Sequence, residues 1–157
     1  MNFLTLISKQ KSKAMNKKKQ IIIINGANLN LLGVREKAIY GSQSWEEYFK
    51  TLKEKYPHVE LSCFQSNIEG EIVNCLQEKG FSYEGIILNA GGYTHTSVVI
   101  ADCVKALTTP VIEVHISNIL KRETFRSTSL LAPACCGTIM GFGMKSYELA
   151  LLAFLNK

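Results

Sequence analysis

No apolar run in this sequence approaches the ~20 residues that a membrane-spanning helix needs, which predicts a soluble chain with no membrane partner. Its five cysteines, at positions 63, 75, 103, 135 and 136, are odd in number and have neither CxxC spacing nor paired histidines. That pattern argues against a disulfide framework and against zinc or another metal. It predicts small core residues in a reducing cytoplasm. Phosphate cradles are missing as well: "NGANLNLLG" lacks GxGxxG, and no GxxxxGK(S/T) loop occurs anywhere. No serine occupies a GxSxG elbow, and no cysteine pairs with a histidine at a strand end, so acyl transfer is disfavoured.

What is present is the composition of one globular domain, 157 residues with 46% hydrophobic and 20% charged. The formal charge of +5 is carried largely by "KQKSKAMNKKKQ" at residues 9–20, and it nearly vanishes without the first 20 residues. No aromatic residues interleave these lysines, so nucleic acid is not an expected partner. The opening "MNFLTLIS" is short, precedes the basic run and is followed by no small-residue cleavage pattern. Residues 1–19 are therefore expected to form a basic, disordered tail, with Met15 a possible start, and residues 20–157 a single domain.

"QIIIIN" (20–25) is a continuous apolar run broken by Asn-Gly, the pattern of a strand buried on both faces. "SWEEYFKTLKEKY" spaces its aromatic residues as a helix does, with Ser44 and Glu47 in capping-box register. "VELSCFQ" reads as a second strand, "EGEIVNCLQEKG" as a helix stopped by Gly80, and "GIILNAGG" as a third strand. A helix over "TSVVIADCVKAL" capped by Thr96 or Ser97, a strand "PVIEVHIS" opened by Pro110, a strand "CCGTIMGFG" and a helix "KSYELALLAFL" complete the alternation. Such a βα repeat predicts a flavodoxin-like, doubly wound parallel α/β sheet of five strands, order 2-1-3-4-5, with helices on both faces.

Ligands in such sheets bind beyond the carboxyl ends of the strands. The strand ends here are "NGANLN", "QSN", "NAGGYTHTS" and "EVHISN", so one polar pocket is expected to collect Asn25, Asn28, Asn67, Asn89, His95, His115, Ser117 and Asn118. Glu113 and His115 are two apart on a strand and share a face, opposite Ile112, Val114 and Ile116. A carboxylate beside an imidazole orients it, fixes its tautomer and favours its protonated form, which suits a general acid. "GVREKAIYG" (33–41) has no helical or strand period, yet it carries a guanidinium and a phenol between two glycines. This inventory suits proton transfer on a small polyhydroxylated molecule. A silent binding protein for a small polyol or carboxylate, on the same fold, is the alternative.

Taken in order from about residue 21 to 153, "NGANLNLLG", "REKAIYG", "QSNIEGE", "ILNAGGYTHTS", "IEVHISN", "FRSTS" and "GFGMKSYELAL" resemble the type II 3-dehydroquinate dehydratases. The resemblance implies a trimer-based dodecamer and the reversible anti elimination of water from 3-dehydroquinate in the shikimate or quinate pathway, with no cofactor. It implies that Tyr40 is the base at C2 and His115 the acid at the C1 hydroxyl. Arg35 would favour the phenolate: a cation ~4 Å away is worth roughly 4 kcal/mol at an effective dielectric near 20, about 3 pKa units. A loop carrying both groups would act as a lid. By the same resemblance Asn89 and the backbone amides of Ile116 and Ser117 hold the substrate carboxylate, and His95 and Arg126 contact the ring hydroxyls. Asn28 positions the water or polar group facing the enolate, Glu113 supports His115, and Asp102 reaches a neighbouring subunit's site. Three positions depart from the family pattern: Ala27, Lys37 and Ala90 stand where prolines are common.

Overall fold

The computed structural model describes residues 17–33 and 43–156. Arg35, Lys37, Tyr40 and nearly all of the amino-terminal tail lie outside them. Five parallel strands, β1 (Lys19–Asn25), β2 (Val59–Gln65), β3 (Gly85–Asn89), β4 (Val111–His115) and β5 (Gly137–Met140), form one sheet in the order β2-β1-β3-β4-β5. The predicted strand order is the observed one. Among the described residues four α-helices alternate with them: α1 (Trp45–Lys55), α2 (Glu69–Lys79), α3 (Val98–Ala106) and α4 (Lys145–Leu155).

The isoleucine run in β1 accounts for both layers. Ile21 and Ile23 join Trp45 and Leu52 of α1 and Tyr147, Leu151 and Phe154 of α4, whereas Ile22 and Ile24 join Ile72 and Leu76 of α2 and Ile100 and Val104 of α3. Side chains alternate across a strand, so an unbroken apolar run needs a helical layer on each side.

Local signals set the helix ends. Ser44 Oγ accepts from Glu47 N (3.2 Å) and Ser44 N donates to Glu47 Oε2 (3.1 Å), the expected capping box. At α3 it is Ser97, not Thr96, whose hydroxyl accepts from the first turn, at Ile100 N (2.9 Å). Gly80 follows α2 with φ −71°, so it is not a left-handed cap; what calls for glycine is close approach. A Cβ there would stand 2.5 Å from both Leu76 O and a Leu107 methyl.

The third, fourth and fifth strands are shorter than their apolar runs. β3 ends at Asn89 because Gly91 adopts φ +61° and a 3-10 turn, Gly91–His95, follows. The cysteine expectation is corrected: Cys75 and Cys103 are buried, Cys135 is partly buried, and Cys63 and Cys136 are exposed, all as free thiols. Cys63 lies on β2, an edge strand, and Cys136 precedes β5 at the other edge.

The ends of β1 and β3 are drawn together at Gly26, whose N–H donates to Asn89 O at 2.7 Å. A Cβ on Gly26 would meet the backbone oxygen of Ala90 at 2.3 Å. Backbone cannot swing aside as a side chain does, so Gly26→Ala is expected to lower stability by about 3 kcal/mol. Gly70→Ala in α2, with nothing within 4 Å, should gain roughly 0.5–1 kcal/mol. Paired urea denaturation curves check both, and equal stabilities would refute the close-approach argument.

Candidate active site

A cavity of about 160 Å³ opens beyond the carboxyl ends of β1, β3 and β4, space for on the order of ten waters. Its lining includes Asn28, Asn89, His95, His115, Ile116, Ser117 and Arg126, all expected from the sequence, together with Arg122 and Gly92, which were not. Three residues expected in this pocket, Asn25, Asn67 and Asn118, do not line it. Asn25 is fully buried behind it. Asn67 braces the loop after β1, its Oδ1 accepting from Asn28 N (2.9 Å) and Gln65 Nε2 (3.2 Å). Asn118 Oδ1 caps the short turn Ile119–Lys121 through Leu120 N (3.1 Å). Asp102 is exposed on α3, 3.2 Å from Lys105 Nζ, and does not reach this cavity. Of the cavity's own loops, only the one after β1 runs into residues outside the description: Leu32 lines the cavity and the described chain breaks after Gly33.

Asn28 is the only described non-glycine residue with positive φ, 68°, a conformation that asparagine tolerates better than most. With Ala27 in place of proline, this turn is braced by the Asn67 amide. Beyond β4, Gly141 N donates to His115 O (3.3 Å) and Gly143 N to Ile116 O (3.0 Å). These bonds fix the peptides that bring Ile116 and Ser117 to the cavity.

The Glu113–His115 pair lies on one face of β4, as the alternation predicts. His115 Nε2 is 2.9 Å from Glu113 Oε1, and the side chains are 6% and 0% exposed. Oε1 also accepts from Ser129 Oγ (2.8 Å) and Thr94 Oγ1 (3.1 Å), and Oε2 accepts from Thr138 Oγ1 (3.2 Å). Ser129 Oγ itself accepts from Leu131 N (3.1 Å) and Ala132 N (2.9 Å), so its proton is left for Glu113. Burial acts to raise the Glu113 carboxyl, but the hydrogen bond and charge of His115, then Ser129 and Thr94, outweigh it and hold it below the usual range. An ionised carboxylate only accepts. Nε2 therefore carries a proton, and Nδ1 is the nitrogen left to act.

Four donors around one carboxylate make a definite prediction. Glu113→Gln presents an NH2 to groups that are themselves donors, at an expected cost of about 1–3 kcal/mol at neutral pH. A carboxylate whose pKa is depressed by folding stabilises the fold fully above the unfolded value, and that contribution is lost as pH falls through the folded value. The stability gap between wild type and Glu113→Gln should accordingly narrow as pH is taken below 4.5. Urea denaturation at neutral and acidic pH measures it; a gap independent of pH would refute the assignment.

At His95 the Nδ1 stands 2.8 Å from Thr128 O. A carbonyl only accepts, so the proton is on Nδ1 and Nε2 is an acceptor. Arg126 Nε lies 3.1 Å from Glu123 Oε2, and its side chain also lines the cavity. Asn89 Nδ2 donates to Tyr147 Oη (2.7 Å), and Tyr147 Oη donates to Asn25 Oδ1 (2.9 Å). Asn25 Nδ2 is buried with no partner among the described residues, a cost of about 1–3 kcal/mol.

Beside Arg122, the residues of the candidate site that the sequence did not single out are Thr94, Ser129 and Thr138 around Glu113 and Tyr147 behind Asn89. Thr138 has a signal in retrospect: it is the β5 residue in register with Glu113.

The family model for dehydroquinase class II matches residues 19–155. A 3-dehydroquinate dehydratase of Clostridium perfringens is 51% identical over 141 residues, covering 88% of this chain and 98% of its own. One from Campylobacter jejuni is 53% identical over 139 residues, covering 87% of each. The crystal structure of a type II dehydroquinase from Butyrivibrio crossotus superposes with a TM-score of 0.84 at 42% identity, covering 88% of this chain and 98% of its own. A model match running from the first residue of β1 to the last of α4 takes in every element that builds the cavity, and on that extent the chain belongs to the class II dehydroquinase family.

Proposed function

We propose that the chain catalyses the reversible anti dehydration of 3-dehydroquinate to 3-dehydroshikimate through an enolate, without a cofactor. The observation that carries this reading is the Glu113–His115 pair: a buried carboxylate holds one ring nitrogen at 2.9 Å while the ring borders a polar cavity. Binding alone has no use for an oriented, proton-bearing imidazole.

In this reading Tyr40, as phenolate beside Arg35, removes the C2 proton alpha to the ketone. The electron pair moves into the C2–C3 bond and the negative charge onto the ketone oxygen, forming the enolate that Asn28 faces directly or through a water. The ketone then reforms as the C2–C3 electron pair moves into the C1–C2 bond, the C1–O bond breaks with its pair going to oxygen, and the departing hydroxyl takes a proton from His115 Nδ1 to leave as water. Glu113 balances the charge of the doubly protonated ring. Asn89 with the backbone amides of Ile116 and Ser117 holds the carboxylate, and His95 and Arg126 contact the ring hydroxyls. Ligand-binding energy spent on these fixed groups places C2 and C1 against base and acid.

The same reading takes residues 20–157 as one catalytic domain preceded by a basic tail, working in the cytoplasm in the shikimate or quinate pathway. It takes Asp102 to the cavity of a neighbouring subunit in a trimer-based dodecamer. In support, Val98 and Val99 on the same helix are 61% and 56% exposed, apolar surface that a subunit contact would cover.

The test is to add 3-dehydroquinate to the purified protein and follow the ultraviolet absorbance of the conjugated enone product. Rising absorbance is expected. Folded protein that binds the substrate without forming the enone would instead be a binding protein.

A further inference from the structure

The hydroxyl of Tyr147 joins two amides at the carboxyl ends of β1 and β3. Its side chain is fully buried, with the ring 5.0 Å from that of Trp45. On hydrogen-bonding capacity alone the chain Asn89–Tyr147–Asn25 can run in either direction, because a carboxamide can be turned end for end and a phenol both gives and takes. The Gly91 N–H removes that freedom. It lies 3.2 Å from Asn89 Oδ1 and can only donate, so a reversed Asn89 would set two donors against each other. Gly91 is itself fixed, at φ +61° with Ala27 O 2.8 Å from where a Cβ would stand. One N–H of Asn89 is thus committed to Tyr147. The other has no partner among the described residues, on a side chain that lines the cavity.

We propose that Tyr147, backed by Asn25, is a positioning residue that holds the Asn89 amide with its second N–H presented to an anionic oxygen of the ligand. This rests on the reading of Asn89 as a carboxylate contact. Tyr147 touches no ligand and moves no proton in the reaction; burial raises its pKa above that of a free phenol, which keeps it a neutral relay. The orphaned Nδ2 of Asn25 fits the same role. An apolar residue there would avoid the orphan, but it would leave the Tyr147 proton without an acceptor and free the phenol to turn.

Tyr147→Phe deletes the relay and keeps the ring against Trp45. Quinate, which has a hydroxyl in place of the ketone and cannot enolise, serves as the binding probe alongside its carboxamide. Calorimetry is expected to find quinate bound about tenfold more weakly by Tyr147→Phe, as for a lost hydrogen bond to a charged group, with the carboxamide's affinity unchanged. In turnover, KM for 3-dehydroquinate should rise by a similar factor while kcat stays within about twofold. Asn25→Leu, which strands the Tyr147 proton, should reproduce the pattern if Tyr147→Phe fails to fold. On an Asn89→Ala background, Tyr147→Phe should weaken quinate no further. Equal losses for both ligands, a lower melting temperature with unchanged affinities, or a further loss on the Asn89→Ala background would overturn the proposal. Wild type that binds quinate but forms no enone would refute the catalytic reading and leave this test intact.

Discussion

Tyr40→Phe is expected to lower kcat by roughly a thousandfold or more while changing the affinity for quinate little, the signature of a lost general base. The phenol is assigned this role by its place in the motif "REKAIYG", which resembles the type II 3-dehydroquinate dehydratases; in the cavity's described lining the other group able to take a carbon-bound proton is His95. Asn28 and Asn89 are amides, Ser117 lacks a neighbouring base, and the Arg126 guanidinium offers only donors. Of the two histidines, His115 is tied to Glu113, and His95 presents Nε2 as an acceptor but holds Nδ1 against Thr128 O. In sequence, Arg35 and Tyr40 follow shortly after Leu32, which lines the cavity. A phenol needs a neighbouring cation to yield a useful fraction of phenolate near neutral pH. Stopped-flow measurement of enone formation separates chemistry from binding, and turnover within a few-fold of wild type would transfer the base role to His95.

Much of this was legible in the sequence because it is local. The Ser44–Glu47 capping box, the four isoleucines of β1 and the shared face of Glu113 and His115 each depend on spacing within one element. The closing helix occupies its predicted span, Lys145–Leu155, since its apolar period runs unbroken. Strand ends were less legible. Apolar and small residues continue past Asn89, and only the positive φ at Gly91 turns them out of the sheet.

The rest depends on pairings between distant parts of the chain. Tyr147 reads in sequence as one more apolar position of α4, and nothing local reports that its hydroxyl meets Asn89 58 residues away and Asn25 122 residues away. Its place at a strand end predicts Asn25 for the pocket, but the last residue of β1 faces the α4 layer, where it meets Tyr147. The donors to Glu113 come from the Gly91–His95 turn, from the loop before β5 and from β5 itself, and only the sheet order brings them to one carboxylate. Asp102 shows the same limit from the other side. Its role is assigned between subunits, and one chain places it only on an exposed face of α3.

His115→Ala separates the two halves of the reaction. Removing the acid leaves the base and the carboxylate contacts, so enolate formation is expected to continue while hydroxide, a poor leaving group, departs roughly 10²–10⁴ times more slowly. In heavy water the stalled enolate should return to the ketone by taking a solvent-derived deuteron from the Tyr40 hydroxyl. Recovered 3-dehydroquinate would then carry deuterium at C2 although little enone forms. Mass spectrometry of the recovered substrate reads the exchange, and absorbance reads the dehydration. The contrast with Glu113→Gln is informative, because that variant keeps the imidazole but surrounds it with a neutral amide. It should slow dehydration less than His115→Ala and should retain exchange. If His115→Ala dehydrates at the wild-type rate, His115 is not the acid. If exchange disappears together with dehydration, His115 is needed by the time the enolate forms, and the two steps are not separated by this variant.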